Sequence, residues 1–193
     1  MRRFLSLIAV VALALPLAAQ DFKIDTNHSS ANFAVKHFLL STVRGRFAAA
    51  VNGTIHFDPA DIAKSSVTAV ITAANISTDN ETRDKHLKSP DFFDVAKYPE
   101  LKFQSTRVEK RGEGYVAIGN LTIKDVTKQI ELPFTLAEAD AKGRNKLGIE
   151  ASTKINRLDY NVSYDTSGTT VGKEVKIDLD LEANQVDAAP AQK

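Results

Sequence analysis

Residues 47–57, FAAAVNGTIHF, decide the fold class because apolar and polar side chains alternate along them. Phe47, Val51 and Ile55 lie on one face of the extended chain, and Asn52 lies on the opposite face. Alternation with a period of two is typical of a β-strand that has one buried face and one solvated face. The stretch therefore predicts a strand in an antiparallel sheet.

The same pattern recurs on both sides of this stretch. Further alternating runs lie at 31–35, 67–73, 101–103, 115–123, 130–136, 147–151 and 175–181. Roughly eight such runs, joined by short polar turns, predict an all-β fold. They can form either a sandwich or a barrel. We favour an extended eight-stranded antiparallel β-barrel, because closure removes exposed strand edges.

The predicted buried face contains many small residues, among them Ala31, Gly53, Ala69, Ala117 and Gly119. Where large and small residues alternate inside a barrel, they can leave a lumen that holds a small ligand. Alternatively, small residues only fit the taper of the barrel and let opposite walls approach each other. The sequence leaves both alternatives open.

Residues 80–98 interrupt the alternation. Their first half has a helical composition, and a Ser-Pro-Asp sequence beginning at Ser89 is a second signal for the start of a helix. We therefore predict one or two short helices around residues 80–96, crossing one end of the barrel. If this segment covers a cavity, Arg83 and His86 are rim residues that meet an anionic or polar headgroup. The alternative is a solvated helix face.

The N-terminus has the three-part layout of a secretory signal peptide. Arg2 and Arg3 precede an apolar run that ends in the small residues Ala18 and Ala19. This run is shorter than the ~20 apolar residues that a membrane-spanning helix needs. We therefore predict a cleaved signal peptide at 1–19 and no stable membrane span. Export without cysteine favours a bacterial periplasmic or secreted protein.

The rest of the chain is predicted to form one domain at 20–183, followed by a disordered tail at 184–193 that is rich in Ala, Gln and Pro. Lys and Arg number 25 against 24 Asp and Glu, so no basic field is available to hold nucleic acid. The absence of cysteine excludes thiolate chemistry. We found no catalytic motif and no compact metal motif, so we predict a non-enzymatic protein without a metal or cofactor.

Short motifs follow one another in order from about residue 21 to residue 182. They are Asp25-x-x-His28-Ser29, Phe33-x-Val35-x-His37, Val43-x-Gly45-x-Phe47, Thr78 with Asp84-x-His86-Leu87-x-Ser89-x-Asp91-Phe92-Phe93-Asp94, Tyr98-Pro99, Gly119-x-Leu121-Thr122-Ile123, Arg157-x-Asp159, and Val171-Gly172 with Val175. Together they resemble the YceI family of polyisoprenoid-binding proteins. The resemblance implies a lipocalin-like barrel, usually exported, whose apolar pore holds a long isoprenoid such as a quinone or a prenyl phosphate. It also implies a homodimer, and it implies neither a catalytic site nor a metal.

Large apolar side chains on the buried face are expected to line the lumen and to bind the ligand. They are Phe33, Val35, Phe47, Val51, Ile55, Val67, Ile71, Phe103, Leu121, Ile123, Phe134, Ile149, Ile177 and Leu179. Burying a lipid tail against them gains about 25 cal/mol per Å² of apolar surface.

We therefore expect an exported, non-enzymatic lipid-binding protein that holds a long isoprenoid or similar amphiphile for transport, storage or sequestration. The alternative is a periplasmic stress-protection or interaction module, in which the barrel is a scaffold and any lumen lipid is structural.

Overall fold

The computed structural model describes residues 19–140 and 145–186, so nearly all of the predicted signal peptide lies outside the described residues. The strands are β1 (Gln20–Ile24), β2 (Ser30–His37), β3 (Ser41–Phe47), β4 (Val51–Phe57), β5 (Ser66–Thr72), β6 (Ile76–Ser77), β7 (Glu100–Arg111), β8 (Gly114–Ile123), β9 (Val126–Asp140), β10 (Asn145–Asn156) and β11 (Val171–Gln185). Within these ranges there is one α-helix, α1 (Glu81–Lys88), and there are 3₁₀ turns at Ile62–Lys64, Ala73–Asn75 and Arg157–Tyr160.

The strands close into an eight-stranded antiparallel barrel, which confirms the predicted fold class. The hydrogen-bonded order around the barrel is β1-β4-β5-β7-β8-β9-β10-β11, and β1 pairs with β11 to close the ring. The short strands β2, β3 and β6 extend the barrel wall beyond β1, β4 and β5, respectively. β2 pairs with the rest of β11, β3 pairs with β2, and β6 pairs with β3. When β1 with β2, β3 with β4 and β5 with β6 are each counted as one interrupted strand, consecutive strands are neighbours in an up-and-down arrangement.

The wall made by β1 and β2 is interrupted at residues 25–29, and Ser29 repairs the break. Its hydroxyl donates to the carbonyl of Glu182 on β11 at 3.2 Å and accepts from the N–H of the same residue at 3.1 Å. The N–H of Asp25 donates to that carbonyl at 2.8 Å. Because buried backbone groups need partners, these bonds satisfy β11 at the place where its strand partner is missing.

The run at 47–57 is two strands rather than the single strand that we predicted. β3 ends at Phe47 and β4 begins at Val51. Between them, Ala49 adopts a φ of 45°, and its side chain is exposed instead of facing inward. Alanine fits a strand face and a turn about equally well, so the alternation does not reveal the break.

Helix α1 forms within the predicted segment, and its ends are fixed by side chains. The side chain of Asn80 accepts a hydrogen bond from the N–H of Arg83 at 2.9 Å, which caps the N-terminus. Ser89 ends this helix instead of starting a second one, because its hydroxyl donates to the carbonyl of His86 at 2.7 Å. Residues 90–97 then form turns.

The C-terminal strand carries the domain past the predicted boundary at 183. Asn184 pairs with Lys23 and Gln185 pairs with Phe22, so both residues belong to the barrel wall and not to a tail. Residues 187–193 lie outside the described residues. In the part of the chain that the structure describes, no helix is long and apolar enough to cross a membrane.

Candidate ligand-binding site

Three apolar cavities follow one another along the barrel interior, with volumes of about 80, 90 and 110 Å³. We name them the inner, middle and outer cavities. Ala69 and Phe103 line both the inner and the middle cavity, and Phe33 and Phe47 line both the middle and the outer cavity. No polar atom of the described residues is exposed inside any of the three. A narrow apolar chain suits this row better than a compact ligand does.

The predicted lumen residues border this row with one exception. The inner cavity contacts Ile55, Val67, Phe103, Phe134 and Ile149; the middle cavity contacts Phe33, Phe47, Ile71, Phe103, Leu121, Ile123, Ile177 and Leu179; the outer cavity contacts Phe33, Val35, Phe47, Ile123 and Ile177. Val51 lines none of these cavities. It is the first residue of β4, directly after the turn that follows β3, and its side chain is buried in the core at 2% exposure. Binding of a ligand by these side chains remains a prediction.

Two glycines leave room for phenylalanine rings to lie against the barrel wall. Gly45 lies directly opposite Phe33 on the neighbouring strand, and a Cβ built on Gly45 would come within 2.7 Å of the Phe33 ring. A Cβ on Gly119 would likewise lie 2.6 Å from the ring of Phe103. The small residues therefore let aromatic rings lie close to the wall, which leaves the axis of the barrel as a lumen.

Replacing Gly45 by alanine is expected to weaken uptake of an apolar chain more than it weakens folding. The new methyl group displaces the far end of the Phe33 ring, which narrows the junction between the middle and outer cavities. In Gly119→Ala, by contrast, the methyl group meets the carbonyl of Gln104 at 2.5 Å, a backbone atom that cannot move aside.

The two variants are compared by prenyl-lipid titration and by urea unfolding. We expect Gly119→Ala to lose more stability than Gly45→Ala, by about 1–3 kcal/mol, because overpacking against fixed atoms carries that cost. Equal lipid uptake by Gly45→Ala and the unmodified protein would show that Phe33 does not border the path of the ligand.

A fourth cavity, of about 440 Å³, lies between α1 and the β2–β3 turn, and we call it the mouth. It shares Phe33, Val35 and Leu87 with the outer cavity, so it continues the row toward the surface. Exposed polar residues, including Thr82, also line it. The row of cavities is thus apolar inside, and polar side chains join its lining at the mouth.

Both predicted rim residues lie at this mouth, held by neighbouring side chains. The Nε of Arg83 donates to the hydroxyl of Thr78 at 2.7 Å, and its Nη2 donates to the carbonyl of the same residue at 2.9 Å. The Nε2 of His86 lies 2.8 Å from the carboxylate of Asp91, and the imidazole packs edge-on against Tyr164 with ring centroids 5.0 Å apart. No described residue accepts from Nη1 of Arg83, so this nitrogen can donate to a ligand headgroup.

Arg157 organises the lip of the mouth opposite α1, although its side chain is only 4% exposed. All its N–H groups are used by backbone carbonyls of the segment 162–172: Nε donates to Gly172 at 2.9 Å, Nη1 to Val162 and Tyr164, and Nη2 to Asp165 and Val171. Burial lowers the pKa of Arg157 from its ordinary value, because desolvation disfavours the charged form. The five N–H donors of the planar guanidinium nevertheless match the positions of these five carbonyls, which we call the carbonyl cage.

Asp165 stabilises the same lip from outside. Its carboxylate accepts from the N–H groups of Thr170 at 2.6 Å and Val171 at 3.0 Å, as well as from the hydroxyl of Ser167. The bond to Ser167, followed by the backbone bonds, lowers the pKa of Asp165 far below its ordinary range. The loop that carries Tyr164 to the mouth is therefore tied down at both ends.

Asp25, His28 and Glu182 bring their ligand atoms within 4.8 Å of one another, the spacing of a candidate metal site. The protein already satisfies these groups: His28 Nδ1 lies 2.9 Å from the Asp25 carboxylate, and the ammonium of Lys146 binds Glu182. The side chain of His28 is 65% exposed and pairs with a carboxylate. The cluster is best described as a brace across the β1–β2 break.

This brace is expected to make stability depend on pH. The bond to His28 lowers the pKa of Asp25 from 3.8 to about 2, and the same bond raises the pKa of His28 above 6.5. The contribution of Asp25 is present above pH 3.8 and is lost as the pH falls through about 2. The contribution of His28 is present below pH 6.5 and is lost as the pH rises through its elevated pKa.

The difference in free energy of unfolding between the unmodified protein and Asp25→Asn should therefore be largest between about pH 4 and pH 6.5. Urea unfolding across a pH series measures it. Asp180→Asn, on the same sheet at β11, is the control. A difference that stays constant from pH 2 to pH 9 would show that the pair does not contribute through its charges.

Sequence reasoning missed several residues of this site. Leu87, Phe92 and Tyr164 line the mouth, and Arg157 shapes its lip, but none was predicted as a site residue. Leu87 and Phe92 belong to the motif near α1, which could have indicated them. Tyr164 lies in a loop whose position depends on Arg157, and no periodicity indicates such a contact.

Comparisons with known proteins agree with this geometry. The YceI-like domain family matches residues 22–183. A UPF0312 protein of Vibrio parahaemolyticus is 37% identical over 175 residues, which cover 87% of this chain and 92% of the relative. The crystal structure of the Campylobacter jejuni YceI protein has a TM-score of 0.72 at 34% identity and covers 79% of this chain and 90% of that one.

A more distant structure shares the fold alone. The polyisoprenoid-binding domain from Saccharophagus degradans has a TM-score of 0.63 at 15% identity, over 86% of this chain and 98% of that one. A closed antiparallel barrel with an apolar lumen and a helix at one end defines a lipocalin-like class of protein. Within that class, the chain belongs to the YceI family.

Proposed function

We propose that this protein binds a long isoprenoid, or an amphiphile of similar shape, with its tail in the row of cavities and its polar end at the mouth. The observation that carries the proposal is the series of apolar cavities that share lining residues and lead to the mouth, where polar side chains join the lining. The relative from Saccharophagus degradans, described as a polyisoprenoid-binding domain, supports it at the level of the fold. Affinity comes from the apolar area that the tail removes from water.

The proposed headgroup contacts are Nη1 of Arg83 and the imidazole of His86. A guanidinium favours phosphate through charge-assisted hydrogen bonds, and a quinone oxygen accepts from the same donors. The proposed ligand is therefore a prenyl phosphate or an isoprenoid quinone. We place the protein in the bacterial periplasm or outside the cell, as a non-enzymatic carrier that transports, stores or sequesters this lipid, acting as a homodimer.

Exchange of lipid tests this proposal against a purely structural role for a bound lipid. Protein loaded with one prenyl alcohol is mixed with an excess of a deuterated one, and the bound species is followed by mass spectrometry. A carrier exchanges its ligand at equilibrium and binds prenyl chains better as their length approaches that of the lumen. Bound lipid that never exchanges, or uptake that does not depend on chain length, contradicts the carrier role.

A further inference from the structure

The turn between β2 and β3 holds three consecutive large apolar side chains in solvent. Phe38, Leu39 and Leu40 are 54%, 69% and 87% exposed. Phe38 and Leu39 have φ values of 48° and 58°, in the left-handed region where glycine or asparagine is the usual choice. Bulky side chains at these positions cost stability, so their presence points to a contact outside the folded chain.

The turn is fixed in place beside the mouth. The N–H of Phe38 donates to the carbonyl of Thr170 at 2.9 Å, and the N–H of Leu40 donates to the carbonyl of His37 at 3.1 Å. The His37 and Phe38 rings pack edge-on with centroids 4.5 Å apart. Both His37 and Thr170 line the mouth, so whatever contacts the turn also faces the entrance to the lumen.

Two cationic side chains lie on the strands that meet at the turn. Lys36 and Arg44 are exposed on the outward face of β2 and β3. Among the described residues, neither of them takes part in an ion pair. The carboxylate of Asp165 accepts hydrogen bonds from its own loop, and Glu174 on β11 pairs with Lys154.

We infer that Phe38, Leu39 and Leu40, the tip of the barrel, insert into the surface of a bilayer that contains anionic lipid. Apolar side chains flanked by Lys and Arg are the usual means by which a protein holds such a surface. A protruding tip of three side chains is too small to bury the ~1,000 Å² that a stable interface between two copies needs. The biological purpose of this docking rests on the proposed function, since docking would bring the mouth to the membrane that supplies the lipid.

The chain contains no tryptophan, so one tryptophan placed at the tip reports on the tip alone. In Leu40→Trp, vesicles of phosphatidylcholine with phosphatidylglycerol should shift the emission to the blue, and brominated lipids should quench it. Pure phosphatidylcholine vesicles and raised salt should both weaken the response, because screening reduces attraction to the anionic surface. Val186→Trp is the control, since Val186 is 48% exposed at the opposite end of the barrel.

A second variant measures the strength of docking. Leu39→Ser together with Leu40→Ser should reduce co-sedimentation with the anionic vesicles by about tenfold or more, because two apolar side chains no longer enter the bilayer. The matched Val186→Ser variant should sediment as the unmodified protein does.

Three results would overturn the inference. The first is an emission from Leu40→Trp that does not change when vesicles are added, and the second is an equal response from Val186→Trp. The third is a blue shift that appears as the protein concentration rises in the absence of lipid. This third result would assign the tip to contact with a second copy of the chain. Uptake of prenyl alcohol measured without vesicles separates the two proposals. If uptake fails while docking persists, the proposed function is wrong and the docking surface stands.

Discussion

Ile71→Arg is expected to abolish binding of prenyl lipid. Ile71 lines the middle cavity, opposite Leu101 on the next strand, so the guanidinium enters the centre of the lumen. No acidic residue of the described chain lines this cavity, so a charge placed there has no counter-ion, and burying it costs several kcal/mol when a lipid tail displaces water. The dissociation constant for a prenyl alcohol should therefore rise by at least about 100-fold.

The neighbouring Val70→Arg is the matched control. Val70 follows the alternation of β5 and faces outward, where it pairs with Asn52 and Lys102 in the register of the sheet. Its arginine stays in water, and lipid binding should remain within about twofold of the unmodified protein.

Ile71→Phe keeps the test meaningful if the arginine variant does not fold. This variant fills the middle cavity without a charge, and it should separate the inner cavity from the mouth. Titration with prenyl alcohols of increasing length should then show a loss that grows with chain length. Normal binding of the long chains by both folded variants would mean that the lipid does not pass Ile71.

Arg157→Ala should produce a large loss of stability. The side chain donates to five carbonyls of the segment 162–172, and its removal leaves them without these donors in a buried place. Since an unsatisfied buried polar group costs about 1–3 kcal/mol and water can reach some of the five, we expect a total loss of about 3–5 kcal/mol.

Two further variants separate geometry from charge. Arg157→Lys keeps the charge but offers three donors at one point, so it should recover less than half of the loss. Arg46→Ala removes an exposed pair with Asp79, whose side chain is 72% exposed, and should cost at most about 1 kcal/mol. The free energies come from urea unfolding, and equal losses in Arg157→Ala and Arg46→Ala would contradict the role assigned to the carbonyl cage.

The parts of the fold that the sequence predicted are those that depend on periodicity alone. The long run in β11 alternates apolar and charged side chains from Val175 to Glu182, because one face is dry and the other is wet, and this alternation indicates which residues face the lumen. The strands β1 and β3 escaped notice. β1 has only five residues, and β3 carries Arg44 and Arg46 on its outer face, so polar letters dominate its sequence.

The walls of the candidate site and two residues of its mouth, Arg83 and His86, were predictable from the sequence. The position of Gly45 against Phe33 depends on the register between β2 and β3, which neither sequence run specifies by itself. The role of Arg157 depends on a loop folding back over it, and an arginine at a strand end otherwise looks like a surface residue. The tip at Phe38 to Leu40 breaks the rule that turns are polar, and this exception is itself a signal of function.

Native mass spectrometry of the protein, purified from a bacterial periplasm without detergent, tests the central claim most directly. We expect one lipid-sized adduct per chain that yields a prenyl compound on extraction, and we expect Ile71→Arg to lack it while Val70→Arg retains it. Chains that carry no adduct and take up no prenyl lipid when it is supplied would contradict the account.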